Sequence, residues 1–183
     1  KGFAQTVTKD ELERVIERID KELPFSKENR KITLEFKDEL LADNISLSKT
    51  SRYLQDIIWL NKQLEGKNFE DLTREDIKNL FAKMNQTTLS EETKKGIKIM
   101  LRRFFKFIRK VEGKGNYPEE VNWFTVNISN GHRKMPEELL NEDEMIKVIK
   151  ACKTERDRAL ISTLCESGCR VGEVGYLRIR HVS

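Results

Sequence analysis

Apolar residues recur along most of this chain at the spacing of one helix face. Thr8 and Glu11 have the spacing of a capping box and precede Leu12, Val15, Ile16 and Ile19, a stripe that Leu23 and Pro24 should end. Ser26 is placed to start a second helix, with Ile32, Phe36, Leu40 and Leu41 inside and an end near Asp43 and Asn44. Ser48 is expected to cap a third, whose stripe of Tyr53, Leu54, Ile57, Leu60 and Leu64 stops at Gly66. Thr73 through Asp76 opens a fourth, burying Ile77, Leu80, Phe81 and Met84. A fifth begins at Ser90 with Glu91 and Glu92 in its first turn, and carries Ile97, Met100, Leu101, Phe104, Phe107, Ile108 and Val111.

The pattern then changes. Gly113, Gly115 and Pro118 form a breaker cluster, Val121, Trp123 and Phe124 a short apolar anchor, and Arg133, Lys134 and Pro136 lie in a basic, proline-terminated stretch suited to an interdomain linker. Asn141 and Glu144 make a capping box for a helix with Met145, Val148 and Ile149 inside. The run Ala159–Leu164 reads as a buried helix closed by Gly168, since glycine takes the left-handed conformation at such an end. A short helical pattern follows, with Val171, Val174 and Leu177 inward. These stripes read as core, and none contains a cofactor motif.

Composition narrows the class. A chain of 183 residues, 36% charged and 37% hydrophobic, fits a helix-rich soluble protein of one large or two small domains. No apolar stretch approaches the ~20 residues that span a bilayer. Cys152, Cys165 and Cys169 are odd in number and lack Cys-x-x-Cys spacing, so they are expected to be reduced, in an intracellular protein, with zinc and other cofactors not expected. The net charge of +4 is unevenly spread: residues 1–45 carry nine Lys/Arg against eleven Asp/Glu, residues 46–135 eighteen against eleven, and residues 136–183 eight against nine. The whole excess therefore lies in the middle, as a surface for a polyanion requires.

Most of it lies on the fifth helix. From Lys94 to Lys114 there are nine basic residues and one acid, Glu112. Lys98, Arg102 and Lys106 stack at i, i+4, where like charges repel by ~0.2–0.5 kcal/mol a pair. Neutralisation of phosphates explains such a column better than a solvated face, which ordinarily mixes both signs. Near the end of the chain, Arg170 stands just past a helix end with Glu173 three residues on. Two readings of that pair are open: a structural ion pair, or a guanidinium held in place to bind a phosphate.

The residues Ala159, Leu160, Gly168, Arg170, Glu173, Leu177 and Arg178 resemble the first-arginine motif of tyrosine recombinases, the phage-integrase superfamily. Leu47, Ser48, Ser51, Arg52 and Tyr53, with Ser90 through Lys94 and Phe104 through Phe107, resemble helix patterns of that family's core-binding domain. The likeness runs from about Ser26 to Val182 and is greatest to archaeal-type integrases. It implies an all-α chain: an N-terminal helix at 1–25 of open role, a four- to five-helix SAM-like core-binding domain at 26–112, a linker at 113–136, and the first helices of a catalytic domain at 137–183. It further implies double-stranded DNA as partner, self-association on DNA as a tetramer, no metal or cofactor, and a cytoplasmic, chromosome-associated setting in a prokaryote or virus.

Carried over residue by residue, Arg170 would contact the scissile phosphate with Glu173 in support. Ser48, Lys49, Arg52, Thr93, Lys94, Lys95, Lys98 and Arg102 would face DNA, with Lys106, Arg133 and Lys134 as further basic contacts. The family reaction joins a tyrosine to a 3′-phosphate and frees a 5′-hydroxyl. The family's lysine, second arginine box and nucleophilic tyrosine are expected beyond Ser183, so this stretch is expected to bind DNA without cutting it. Two rivals stand beside that reading: a non-catalytic helical DNA-binding regulator, and a protein-interaction module with an acidic partner.

Overall fold

A computed structural model describes residues 3–21, 25–126 and 139–177. The described residues are all-α, with eight α-helices, one 3-10 turn and no strand. They form two units, Lys1–Ser129 and Asn130–Ser183.

Unit 1 contains α1 (Phe3–Lys21), α2 (Lys27–Ala42), α3 (Leu47–Gln63), a 3-10 turn at Phe69–Asp71, α4 (Arg74–Asn85) and α5 (Glu91–Ile108). Short polar side chains start the helices after α1. Ser26 accepts from the Asn29 N–H at 3.0 Å, Ser90 from that of Thr93 at 3.2 Å, and Thr73 and Asp76 close a reciprocal capping box. The α3 cap is Ser46, which accepts from the Lys49 N–H, rather than Ser48. Both serines precede the same stripe. Starting the helix at Leu47 lets Ile45 and Leu47 pack against the core and turns Ser48 outward. Thr8, expected to start the first helix, lies inside it, since α1 begins at Phe3.

Helix α3 is the hub, packing against α1, α2 and α5. Leu54, Ile57 and Leu60 from it are fully buried, as are Phe36, Leu40, Phe69, Met100, Phe104 and Phe105 around it. Asn29 ties the turn after α3 to α2: its amide donates to Asn61 at 3.2 Å and to the Lys67 carbonyl at 3.0 Å, and its oxygen accepts from the Phe69 N–H at 2.9 Å. Each polar group of that buried amide is thereby satisfied.

The first part of the expected linker belongs to this core. Val121 is completely buried and Phe124 nearly so, with Phe124 4.8 Å from the Phe81 ring and Trp123 5.4 Å from it. Pro118 and the paired glycines turn the chain back along α5, so the apolar anchor read from the sequence is seated on the bundle. Residues 127–138 lie outside the described residues.

Unit 2 contains α6 (Glu142–Ala151), α7 (Glu155–Ser167) and α8 (Val171–Gly175). Asn141 and Glu144 form the expected capping box, and Gly168 closes α7 in the left-handed conformation at φ 62°. The inward placement expected for α8 fails: Val171 is 67% and Leu177 45% exposed, with only Val174 half-buried. Ala159 and Leu160 are likewise exposed, while Ile161 through Leu164 are half-buried. Helix α6 packs on α7 and α7 on α8, leaving a face of each without a facing layer among the described residues.

Candidate nucleic-acid interface

The basic residues of α5 fall into two groups that the sequence does not separate. Arg103 reaches Asp43 at 2.6 Å and Lys94 reaches Glu91 at 2.8 Å. Arg109 reaches Glu120 at 2.7 Å and also donates to the carbonyls of Glu70 and Leu72, fastening the end of α5 to the 3-10 turn. These three arginines and lysines have their charges matched within unit 1.

Lys95, Lys98, Arg102 and Lys106 form no ion pair among the described residues. Instead, aromatic faces and carbonyls hold three of them. The Lys98 ammonium lies 5.3 Å from the Phe81 centroid. The Arg102 guanidinium lies 4.4 Å from Tyr117 and 5.0 Å from Phe124, and donates to the Phe124 carbonyl. Lys106 donates to the Gly113 carbonyl at 2.6 Å and lies 5.8 Å from Tyr117. Such contacts orient a cation without cancelling its charge. The result is a half-exposed positive row stiffened by the 113–126 segment.

On α3, Ser48 and Lys49 are exposed, and the Lys49 ammonium lies 5.7 Å from Tyr53. Lys49 joins Lys95, Arg102 and Lys106 along a groove of about 1540 Å³ between α2 and α5. The α2 wall of that groove is acidic: Glu35, Asp38 and Asp43 are matched by Lys31, Lys37 and Arg103, whereas Glu39 on the same wall, and Glu70 and Glu112 elsewhere in the lining, form no ion pair among the described residues. Thr93 is half-buried at the α5 cap, its hydroxyl 3.0 Å from that of Ser90. Arg52 is paired through Nε with Asp56 at 3.2 Å. Asp56 is 6% exposed, and burial pushes its carboxyl up to about 6 while Arg52 pulls the other way. No signal of spacing alone marks Asp56 as buried, since i, i+4 acid–base pairs are common on solvated faces. Arg133 and Lys134 lie outside the described residues.

In unit 2, Arg170 occupies the N-cap position of α8. Its backbone N–H donates to Glu173 at 2.8 Å, and its guanidinium lies 3.5 Å from the same carboxylate. The Arg170 side chain is 89% exposed. Glu173 thus fixes the arginine at backbone and side chain while leaving its fork open to solvent. Because the pair is exposed, Arg170→Ala is expected to change the stability of the chain by no more than about 0.5 kcal/mol in urea denaturation. Glu173→Ala, which removes the cap as well, should lower helical circular dichroism slightly.

No described helix is long and apolar enough to cross a membrane. A scan against family models finds no match for this chain, nor does a search of the curated proteins or of the solved structures.

Proposed function

We propose that unit 1 binds duplex DNA through the row Lys95, Lys98, Arg102 and Lys106, joined by Lys49 at the start of α3. The observation that carries this reading is that none of the five cations is in ion-pair contact with a carboxylate among the described residues, Lys98 acting on Glu91 only at longer range, while their neighbours Lys94, Arg103 and Arg109 are in such contact. A charge left unmatched on a surface attracts counterions, and phosphates that replace them release those ions to solvent. The role proposed for the chain is the DNA-gripping part of a site-specific tyrosine recombinase, with Arg170 the phosphate ligand of the catalytic part and Glu173 its support. The resemblance of the motif supports this, as does the arrangement of Arg170 at a helix start with its guanidinium open. In such a protein, a tyrosine attacks the scissile phosphate and the arginine stabilises the charge that builds on it.

Anisotropy of a labelled 30-base-pair duplex, titrated with the chain at several salt concentrations, tests the binding. Micromolar or tighter affinity at low salt is expected, falling with a log–log slope of roughly −3 to −5 for four or five phosphates at about −0.9 each. Lys49→Ala and Lys95→Ala should each reduce the slope by about one. These two are preferable to reversal of Arg102, whose loss would also free the 113–126 segment. A folded chain, by circular dichroism, that ignores DNA at low salt would sink the proposal and turn attention to an acidic protein partner.

A further inference from the structure

Arg52 differs from every other cation proposed to meet DNA. It is half-exposed at 52%, yet it is anchored from behind by a carboxylate that is itself only 8% exposed. The second oxygen of Asp56 has no hydrogen-bond partner, so the carboxylate is not held by a wider network. Among the described residues Arg52 has no other hydrogen bond or ion pair. A guanidinium held through Nε keeps its two terminal amino groups to donate in parallel. It lies one turn beyond the exposed Ser48 and three residues beyond Lys49, which shares the groove lined by the unmatched cations of α5.

From this geometry we infer that Arg52 reads a guanine in the major groove and that Asp56 is its positioning residue. The inference rests on the DNA-binding reading and adds sequence selectivity to it. Charge decides between a base and a phosphate. Asp56 offsets the charge of Arg52, so the pair has little attraction for a phosphate compared with Lys49 or Lys95. What the pairing preserves is a rigid, planar donor fork, which matches the neutral O6 and N7 acceptors of guanine. Phosphate contacts set the register on the duplex and base contacts specify it. Unit 1 divides its cations accordingly, the unmatched row serving the first purpose and the buttressed arginine the second. Asp56 itself, buried behind the arginine, does not touch DNA.

The test begins with selection by the full chain from a pool of random 20-base-pair duplexes. The expected product contains a preferred guanine. Replacing that guanine by 7-deazaguanine, which keeps base pairing but removes the N7 acceptor, should weaken wild-type binding roughly five- to hundredfold. The same replacement should leave Arg52→Ala unaffected, because that variant has nothing to lose there. Asp56→Asn, which removes the carboxylate that offsets Arg52, should steepen the salt slope by up to about one yet lose most of the discrimination, and Asp56→Glu should recover part of it. A purely structural Asp56 would move overall affinity and leave the ratio between the two duplexes alone. Salt-dependent binding in which wild type and Arg52→Ala respond equally to 7-deazaguanine at every selected position would overturn the inference and leave the DNA reading standing. Absence of duplex binding altogether would overturn both.

Discussion

Phe104→Ala is expected to destabilise unit 1 by about 3–5 kcal/mol, the largest effect of any single truncation on its aromatic core. Phe104 is completely buried, and its ring lies 5.1 Å from Phe36 of α2, 5.2 Å from Phe69 of the 3-10 turn and 6.4 Å from its neighbour Phe105. It therefore joins three elements distant in sequence. Alanine would lose the transfer energy of the ring, the edge-to-face contacts and, where the surroundings cannot close in, leave a cavity. Both tryptophans of the chain, Trp59 and Trp123, lie in unit 1, so their fluorescence in urea reports on that unit. The midpoint should fall sharply with little change in slope. A loss below about 1 kcal/mol would mean that the ring sits in a site able to repack around its absence.

The second large effect depends on pH and comes from Asp56. Its carboxyl titrates at about 6 in the folded chain against 3.8 as the ordinary value, because burial disfavours the charged form more than Arg52 favours it. Between those two values, the folded state binds more protons than the unfolded one. Stability from this group is therefore fully present below about pH 4 and is lost as pH rises through 6. Two pH units correspond to a loss on the order of 2–3 kcal/mol. Asparagine resembles the protonated side chain, so Asp56→Asn should match wild type near pH 4 and exceed it by about that amount at pH 8. Urea midpoints at four or five pH values would show the two curves separating. The reverse order at pH 8, with Asp56→Asn the weaker protein, would mean that the pair with Arg52 outweighs the cost of burial. A residue that lowers the stability of its own fold at neutral pH while restraining an exposed arginine fits a role outside folding.

Helix starts were legible because caps act over three residues. Ser26, Thr73, Ser90 and Asn141 each bond within their own first turn, and the apolar stripes behind them needed only the 3.6-residue period. At α3 the expected cap, Ser48, was the wrong serine. Ser46 and Ser48 both precede the α3 stripe, and the packing of Ile45 and Leu47 selects between them. Gly168 and Arg170 were placed correctly by local chemistry, since a left-handed glycine ends α7 and Glu173 caps α8. The exposure of Val171 and Leu177 was not legible, because burial depends on what faces a helix and not on the helix itself.

By itself, the sequence determined that this chain is helical, where most of its helices start and stop, and that its positive charge gathers on α5. Those properties depend on neighbours within a turn or two. Only the tertiary structure decided which of those charges remain unmatched. Arg109 finds Glu120 and two carbonyls, Arg103 finds Asp43 sixty residues away, and Lys98, Arg102 and Lys106 find ring faces or carbonyls instead of acids. It also decided that Val121 and Phe124 join the core, with Tyr117, Trp123 and Val126 packed against it, and that Asp56 stands buried behind Arg52. A charge is a property of one residue; its neutralisation and its dielectric surroundings belong to the partners that folding brings to it.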